Sequence, residues 1–199
     1  MAAEPAYPPA PWRMQGQGWL SLFRVRGAGH RPDGNYVAAF VSYEPESPLT
    51  YSELLVARVL RARQVEITDI WVDSVASREG GRALWAIPKE LCDFTLEHRG
   101  TGPLSRTRWS AGIERRPIAA ASFTDVSRAA PRLPFRGGTR QPPLADPSEP
   151  VTTALRGSAK ALPCHGGWDF DAAGPLRWLR GQRRLGSLRV ADFRMLFGA

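Results

Sequence analysis

The stretch WVDSVASREGGRALWAIPKEL, residues 71–91, holds one of only two lysines among the 27 lysines and arginines of this chain. Gly80 and Gly81 offer backbone freedom, residues 83–87 form a short apolar run, and Pro88 fixes φ just ahead of Lys89. The amine is therefore expected to leave a stiff, apolar corner of the chain. A guanidinium stays protonated at any working pH, whereas a lysine becomes a nucleophile once burial destabilises its ammonium. Desolvation at such a corner is expected to lower the Lys89 pKa. For lysines in general, a solvated position at the end of a strand is the commoner case.

The residues around Lys89 change that weighting. Asp73, Gly81, Arg82, Leu84, Pro88, Lys89 and Leu91 fall in a pattern that resembles the acetoacetate decarboxylase family, as does TYSELL upstream, where Glu53 follows Tyr51 by two positions. The likeness covers roughly residues 36–125. It implies that Lys89 is the Schiff-base residue and that Glu53 faces it across a pocket. Arg82, Trp85 and Tyr51 are the expected substrate-binding neighbours. The family's arginine that approaches the substrate carboxylate has two candidates, Arg24 and Arg26, which alternate with Phe23 and Val25 as on one face of a strand. A surface role serves both equally well.

Two departures from the family pattern matter for the chemistry. Glu90 follows Lys89, where family members place a second lysine; exchanging a cation for an anion at about 6 Å and an effective dielectric of about 20 makes the amine more basic by roughly two pKa units. Neighbouring residues in extended chain point to opposite sides, so Glu90 is expected to face solvent or an arginine while Lys89 faces the pocket. In YVAAFVSYE the position of a family acid is taken by Val41, with Glu44 the nearest carboxylate.

The chemistry implied is that of an amine in an apolar cavity. Neutral Lys89 adds to a ketone, water leaves, and the iminium draws electrons from the adjacent bond; when that bond joins a carboxylate, carbon dioxide departs. Decarboxylation of a β-keto acid is thus the leading expectation. Aldol cleavage, condensation, cyclisation or dehydration through the same imine is the alternative, and a barrel that binds a small acid without turnover is the third reading. No cofactor is expected.

The remaining sequence predicts a mainly β protein, a closed or nearly closed antiparallel barrel or double sheet with a few short helices. Strands are expected at residues 19–25, 36–43, 53–60, 64–72, 92–98, 106–113, 118–124, 151–162 and 188–197, which are rich in β-branched and aromatic residues and bounded by Gly, Pro and Asp clusters. One helix is expected at residues 73–79 with Asp73 as its N-cap. Many antiparallel strands tend to close and so remove their edges. Residues 131–150, with six prolines and two glycines, read as a long loop, for which a mere connector is the commoner case and a cover over the pocket mouth the alternative. Residues 1–15 read as a loosely ordered arm in front of one domain spanning the chain.

Composition narrows the partners. The net charge of +8 raises the question of nucleic acid, but the arginines are spread along the chain with only a modest cluster in RWLRGQRRLGSLR, so a basic surface that steers anionic ligands is the better reading. Cys92 and Cys164 make no zinc-type spacing with His30, His98 or His165, and RGAGH lacks the spacing of a dinucleotide loop. No run of about 18 apolar residues exists to span a membrane. The expectation is a cytoplasmic homo-oligomer acting on a small β-keto acid or ketone. Lys160, among small residues, is expected to be exposed.

Overall fold

The computed structural model describes residues 6–101, 104–126, 130–144 and 149–198. Among these, twelve strands and one α-helix follow in the order β1 (Trp12–Val25), β2 (Gly34–Tyr43), β3 (Tyr51–Val59), β4 (Gln64–Val72), α1 (Val75–Trp85), β5 (Lys89–Leu91), β6 (Asp93–Thr101), β7 (Leu104–Ile113), β8 (Arg116–Asp125), β9 (Arg132–Gln141), β10 (Val151–Pro163), β11 (His165–Phe170) and β12 (Arg183–Phe197). Seven of them close a barrel: β3, β2, β1, β12, β10, β9 and β4 are neighbours in that order, and β3 pairs back onto β4. Strands β11, β8, β7 and β6 form a second, antiparallel sheet. The predicted closed β architecture is thus present.

The pairing departs from strict antiparallel order at one seam. Only Gln64 and Val65 of β4 pair with β9, in parallel, at Gly138 and Thr139. Higher on the same edge of β4, residues Ile70, Trp71 and Val72 pair in parallel with β5. The short strand that carries Lys89 therefore fills the part of the wall that β9 leaves open. Helix α1 leads directly into it.

Period-two alternation divides the apolar residues between two cores. On β2, Tyr36, Ala38 and Phe40 join the cluster between the barrel and the second sheet, while Ala39, Val41 and Tyr43 belong to the barrel interior. Phe40 stacks on Trp109 and Trp168 of the second sheet at ring separations of 5.2 Å each. The four-stranded sheet thus covers the outer face of β1, β2 and β3, which leaves their other face free to line a cavity.

Several local expectations are corrected. The N-terminal arm is ordered strand from Trp12, whose ring is buried in the barrel; Tyr7 packs against the same cluster, and residues 1–5 of that expectation lie outside the described residues. Within residues 131–150, β9 replaces much of the expected loop and pairs with β10 over its whole length, from Arg132 to Gln141. Pro134 is tolerated because the β4 ladder on the other side of β9 reaches only Gly138 and Thr139. Residues 145–148 lie outside the described residues. Ser74, not Asp73, caps the helix by accepting from the Ser77 N–H; Asp73 instead accepts from the Ser52 N–H across the sheet. The helix also runs six residues further than expected, through both glycines, to Trp85. Strand β11, absent from the expected strands, carries Gly166 and Gly167 and pairs with β8 in full register.

Candidate active site

The corner that delivers Lys89 is built from three local features. Ala86 ends α1 in the left-handed region at φ 52°, with its N–H returned to the Arg82 and Gly81 carbonyls. Pro88 follows, and β5 then docks beside β4 with Lys89 opposite Ile70. Alternation sends Lys89 into the barrel and Glu90 outward, where Glu90 accepts from Arg82 Nη1 at 2.9 Å. The unfavourable anion anticipated beside the amine is thus turned away and paired.

Gly80 and Gly81 serve a different purpose from the expected flexibility, since both lie inside the helix. A methyl on Gly81 would come within 2.8 Å of Lys89 Cδ, and one on Gly80 within 2.7 Å of the Trp12 ring. These glycines let the lysine stem and the indole lie directly on the helix backbone.

The buried amine donates to three acceptors. Lys89 Nζ lies 2.9 Å from Glu53 Oε2, 2.9 Å from Ser77 Oγ and 3.2 Å from the Tyr51 hydroxyl. Tyr43 donates to the other carboxylate oxygen, Glu53 Oε1, at 3.1 Å, and its ring stacks on Tyr51 at 4.4 Å. Lys89 and Glu53 are both almost fully buried. Together these groups form one polar cluster in an otherwise apolar wall.

The expectation of a depressed Lys89 pKa is not met. Burial disfavours the ammonium, but the Glu53 carboxylate, then Tyr51, and the hydrogen bonds to both outweigh it, so the net direction is up from 10.5. The resting pair is an ammonium and a carboxylate. Burial, followed by Glu53 and Tyr51, drives the Tyr43 hydroxyl well above its usual value, and burial also raises Tyr51 despite the opposing charge of Lys89. Both phenols stay neutral near pH 7 and available for hydrogen bonding.

The cluster opens on a cavity of about 580 Å³ lined mainly by apolar side chains of the barrel interior, among them Val41, Leu55, Ile67, Phe193 and Val190. Tyr51 and Trp85, both expected at the site, line it with Lys89 and Glu53. Arg82 and Arg24 do not. Arg82 braces β5 from outside, donating to the Lys89 carbonyl and to Glu90, and Arg24 is exposed and donates to Asn35. Arg26 is exposed as well. Glu44 accepts from Gln17, while Val41 faces the cavity.

The sequence reading did not find Tyr43 or Ser77. Tyr43 carried a usable signal, because it shares the inward parity of Val41 on β2. Ser77 carried none, since only the docking of α1 against β5 brings its hydroxyl to the amine. Lys160 is half-buried, paired with Asp192 at 2.9 Å, not openly exposed as expected. Burial first, and then Asp73, pushes the Cys92 thiol up to about 12; burial and Asp125 push Cys164 to about 11. Both thiols are therefore protonated near neutrality. Among the described residues no cluster of His, Cys, Asp or Glu could hold a metal ion, and no helix is long and apolar enough to cross a membrane.

No protein-family model matches the chain, and no curated protein does. Solved structures do match over nearly the whole length. The enduracididine biosynthesis enzyme MppR complexed with pyruvate superposes with a TM-score of 0.65 at 19% identity, covering 96% of this chain and 90% of that one. An acetoacetate decarboxylase from Legionella pneumophila gives 0.63 at 15% identity, covering 99% and 89%. An acetoacetate decarboxylase-like enzyme from Sphingomonas wittichii RW1 gives 0.64 at 13%, covering 98% and 93%. The chain has the acetoacetate decarboxylase-like fold, as the residues around Lys89 predict.

Proposed function

We propose that this protein is an imine-forming enzyme of the acetoacetate decarboxylase type, with Lys89 as nucleophile and Glu53 as the acid and base beside it. The observation that carries the reading is a lone buried amine 2.9 Å from a buried carboxylate at the wall of an apolar cavity. Trp85 and Tyr51 line the space that the substrate would occupy. A β-keto acid is the substrate for which this chemistry leads to loss of carbon dioxide.

The raised pKa sets the first step. A carbonyl compound with an apolar body expels water from the cavity, which disfavours ammonium and carboxylate together. The proton then passes from Lys89 Nζ to Glu53 Oε2, leaving a neutral amine and a neutral acid. The amine adds to the carbonyl carbon, and a water relays one proton from the carbinolamine nitrogen to the alkoxide oxygen, which becomes a hydroxyl. Glu53 returns its proton to the departing hydroxyl, which leaves as water, and an iminium beside a carboxylate remains. With a β-keto acid, the bond to the carboxylate breaks and its electrons form an enamine; water protonates the enamine carbon, and a second water hydrolyses the resulting iminium. Tyr43, donating to Glu53 Oε1, holds the carboxylate in place through both transfers.

The raised pKa also favours a second reading, a barrel that keeps its ion pair and binds a small acid without turnover. Borohydride added with a panel of β-keto acids and ketones, followed by mass spectrometry, separates the two. Imine formation predicts a reduced adduct on Lys89 and none on Lys160. The absence of an adduct with every ketone tested would establish the binder.

Gly81→Ala tests the seating of the amine. A methyl 2.8 Å from Lys89 Cδ is closer than carbon atoms pack, so the stem must move. The expected result is a trapping rate lower by about a hundredfold, with about 1–3 kcal/mol of stability lost to overpacking. Parallel labelling and thermal unfolding measure the two effects, and equal trapping in the variant would show that the stem position is unimportant.

A further inference from the structure

The inward residues of the barrel can be ranked by height using strand register. Glu53, which holds the Lys89 amine, lies opposite Val41 on β2 and opposite Val72 on β4; two rungs further on, where the Lys89 backbone pairs with Ile70, Leu55 lies opposite Ala39 and Ile70, and two more bring Ala57 opposite Val37 and Ile67. Glu53 to Ala57 spans about 13 Å, and Tyr43 to Val37 about 20 Å, at roughly 3.3 Å per residue. A strand tilt of about 35–45° leaves roughly 10–15 Å along the barrel axis. Beyond the ion pair Leu55, Val37, Ile67, Leu20, Val190 and Ala161 present carbon to the cavity, and the buried, unpartnered Thr139 hydroxyl is the polar side-chain group in that stretch among the described residues.

The two ends of the cavity differ. Trp12 and Trp85, 2% and 5% exposed, pack edge to face at 4.7 Å and close the end where Phe197 joins them. At the opposite end, where β9 begins and β10 finishes, Leu133 and Leu188 are 53% and 37% exposed and form an apolar rim. A molecule entering over that rim meets Lys89 with its leading group while its remainder lies along the apolar rungs. Away from Thr139, a polar substituent on that remainder would lose its water against carbon.

We infer that the substrate carries its carbonyl at one end of an unbranched apolar tail of about eight to twelve carbons, at about 1.3 Å of rise for each 1.5 Å carbon–carbon bond. The inference rests on imine formation at Lys89 and adds to it the chemical class of the compound. The tail trails toward Leu133 and Leu188.

The test uses the full chain and a series of neutral methyl ketones from butan-2-one to tetradecan-2-one. Half-saturation of borohydride trapping is read by intact mass, and equilibrium binding to Lys89→Met by tryptophan emission. The expected result is a half-saturating concentration that falls about fourfold per added methylene, equivalent to about 0.8 kcal/mol each, and levels off near ten carbons. Trapping at Lys89 with no dependence on length would overturn the tail while leaving the imine reading intact. A length dependence in Lys89→Met, with no adduct in the native chain at any length, would keep the tail site and overturn the imine reading. Ala161→Phe sets a ring across the path near the rim and should shorten the levelling length by about three carbons; an unchanged length in this variant, once folded, counts against the assigned path.

Discussion

Replacing Lys89 by arginine is expected to abolish the borohydride adduct and to lower turnover by about a thousandfold or more. The substitution retains a cation for Glu53, which lies 2.9 Å from the present amine, so the loss does not come from an unpaired buried charge. It comes from the guanidinium, which does not release a proton to become a nucleophile. Intact-mass labelling and turnover of a β-keto acid measure the effect. A protein that only binds acids would instead tolerate the arginine, with ligand affinity retained, and its native form would show no adduct at all.

Glu53→Gln is expected to reduce turnover by about a hundredfold to ten-thousandfold, because the amide fills the same volume and can neither take the proton from Lys89 nor return it to the carbinolamine. It also removes the charge that lifts the Lys89 pKa, leaving burial to dominate and draw that pKa below 10.5. The consequences for stability have opposite signs in the two proteins. In the native chain the folded pKa lies above the unfolded value, so the stabilisation is complete below about 10.5 and is lost as pH rises through the folded value. In the variant the unfolded chain binds the extra proton, so stability increases with pH between the lowered folded pKa and about 10.5. Near pH 7 the variant should be destabilised by up to about 3–5 kcal/mol, the usual cost of breaking a buried pair. Chemical denaturation across this pH range reads the two slopes. Parallel slopes would mean that Glu53 does not control the protonation of Lys89.

Much of this arrangement was legible in the chain. The alternation of Tyr51, Glu53 and Leu55 assigns one parity of β3 to a common face, and the same rule sends Lys89 and Glu90 to opposite sides of β5. These are properties of adjacent residues in extended backbone, so one strand suffices to read them. The turn residues around each apolar run located most of the strands for a similar reason. Strand β9 escaped because Pro134, its two glycines and the prolines that flank it argue locally for a loop; its β structure comes from ten rungs with β10 and two with β4.

The chain by itself determined a barrel-forming pattern, an inward lysine behind Pro88 and an inward carboxylate two residues after Tyr51. Tertiary structure alone decided that Ser77 and Tyr51 both reach the amine, that Tyr43 steadies Glu53, and that Arg82 turns outward to brace β5 instead of lining the cavity. It also decided the direction of the Lys89 pKa. Local sequence predicts burial, which lowers that pKa, but the carboxylate that reverses the shift lies 36 residues away and approaches to 2.9 Å only when β3 and β5 flank β4. Electrostatic balance in a buried pair depends on distance through space, and alternation along one strand carries no information about it.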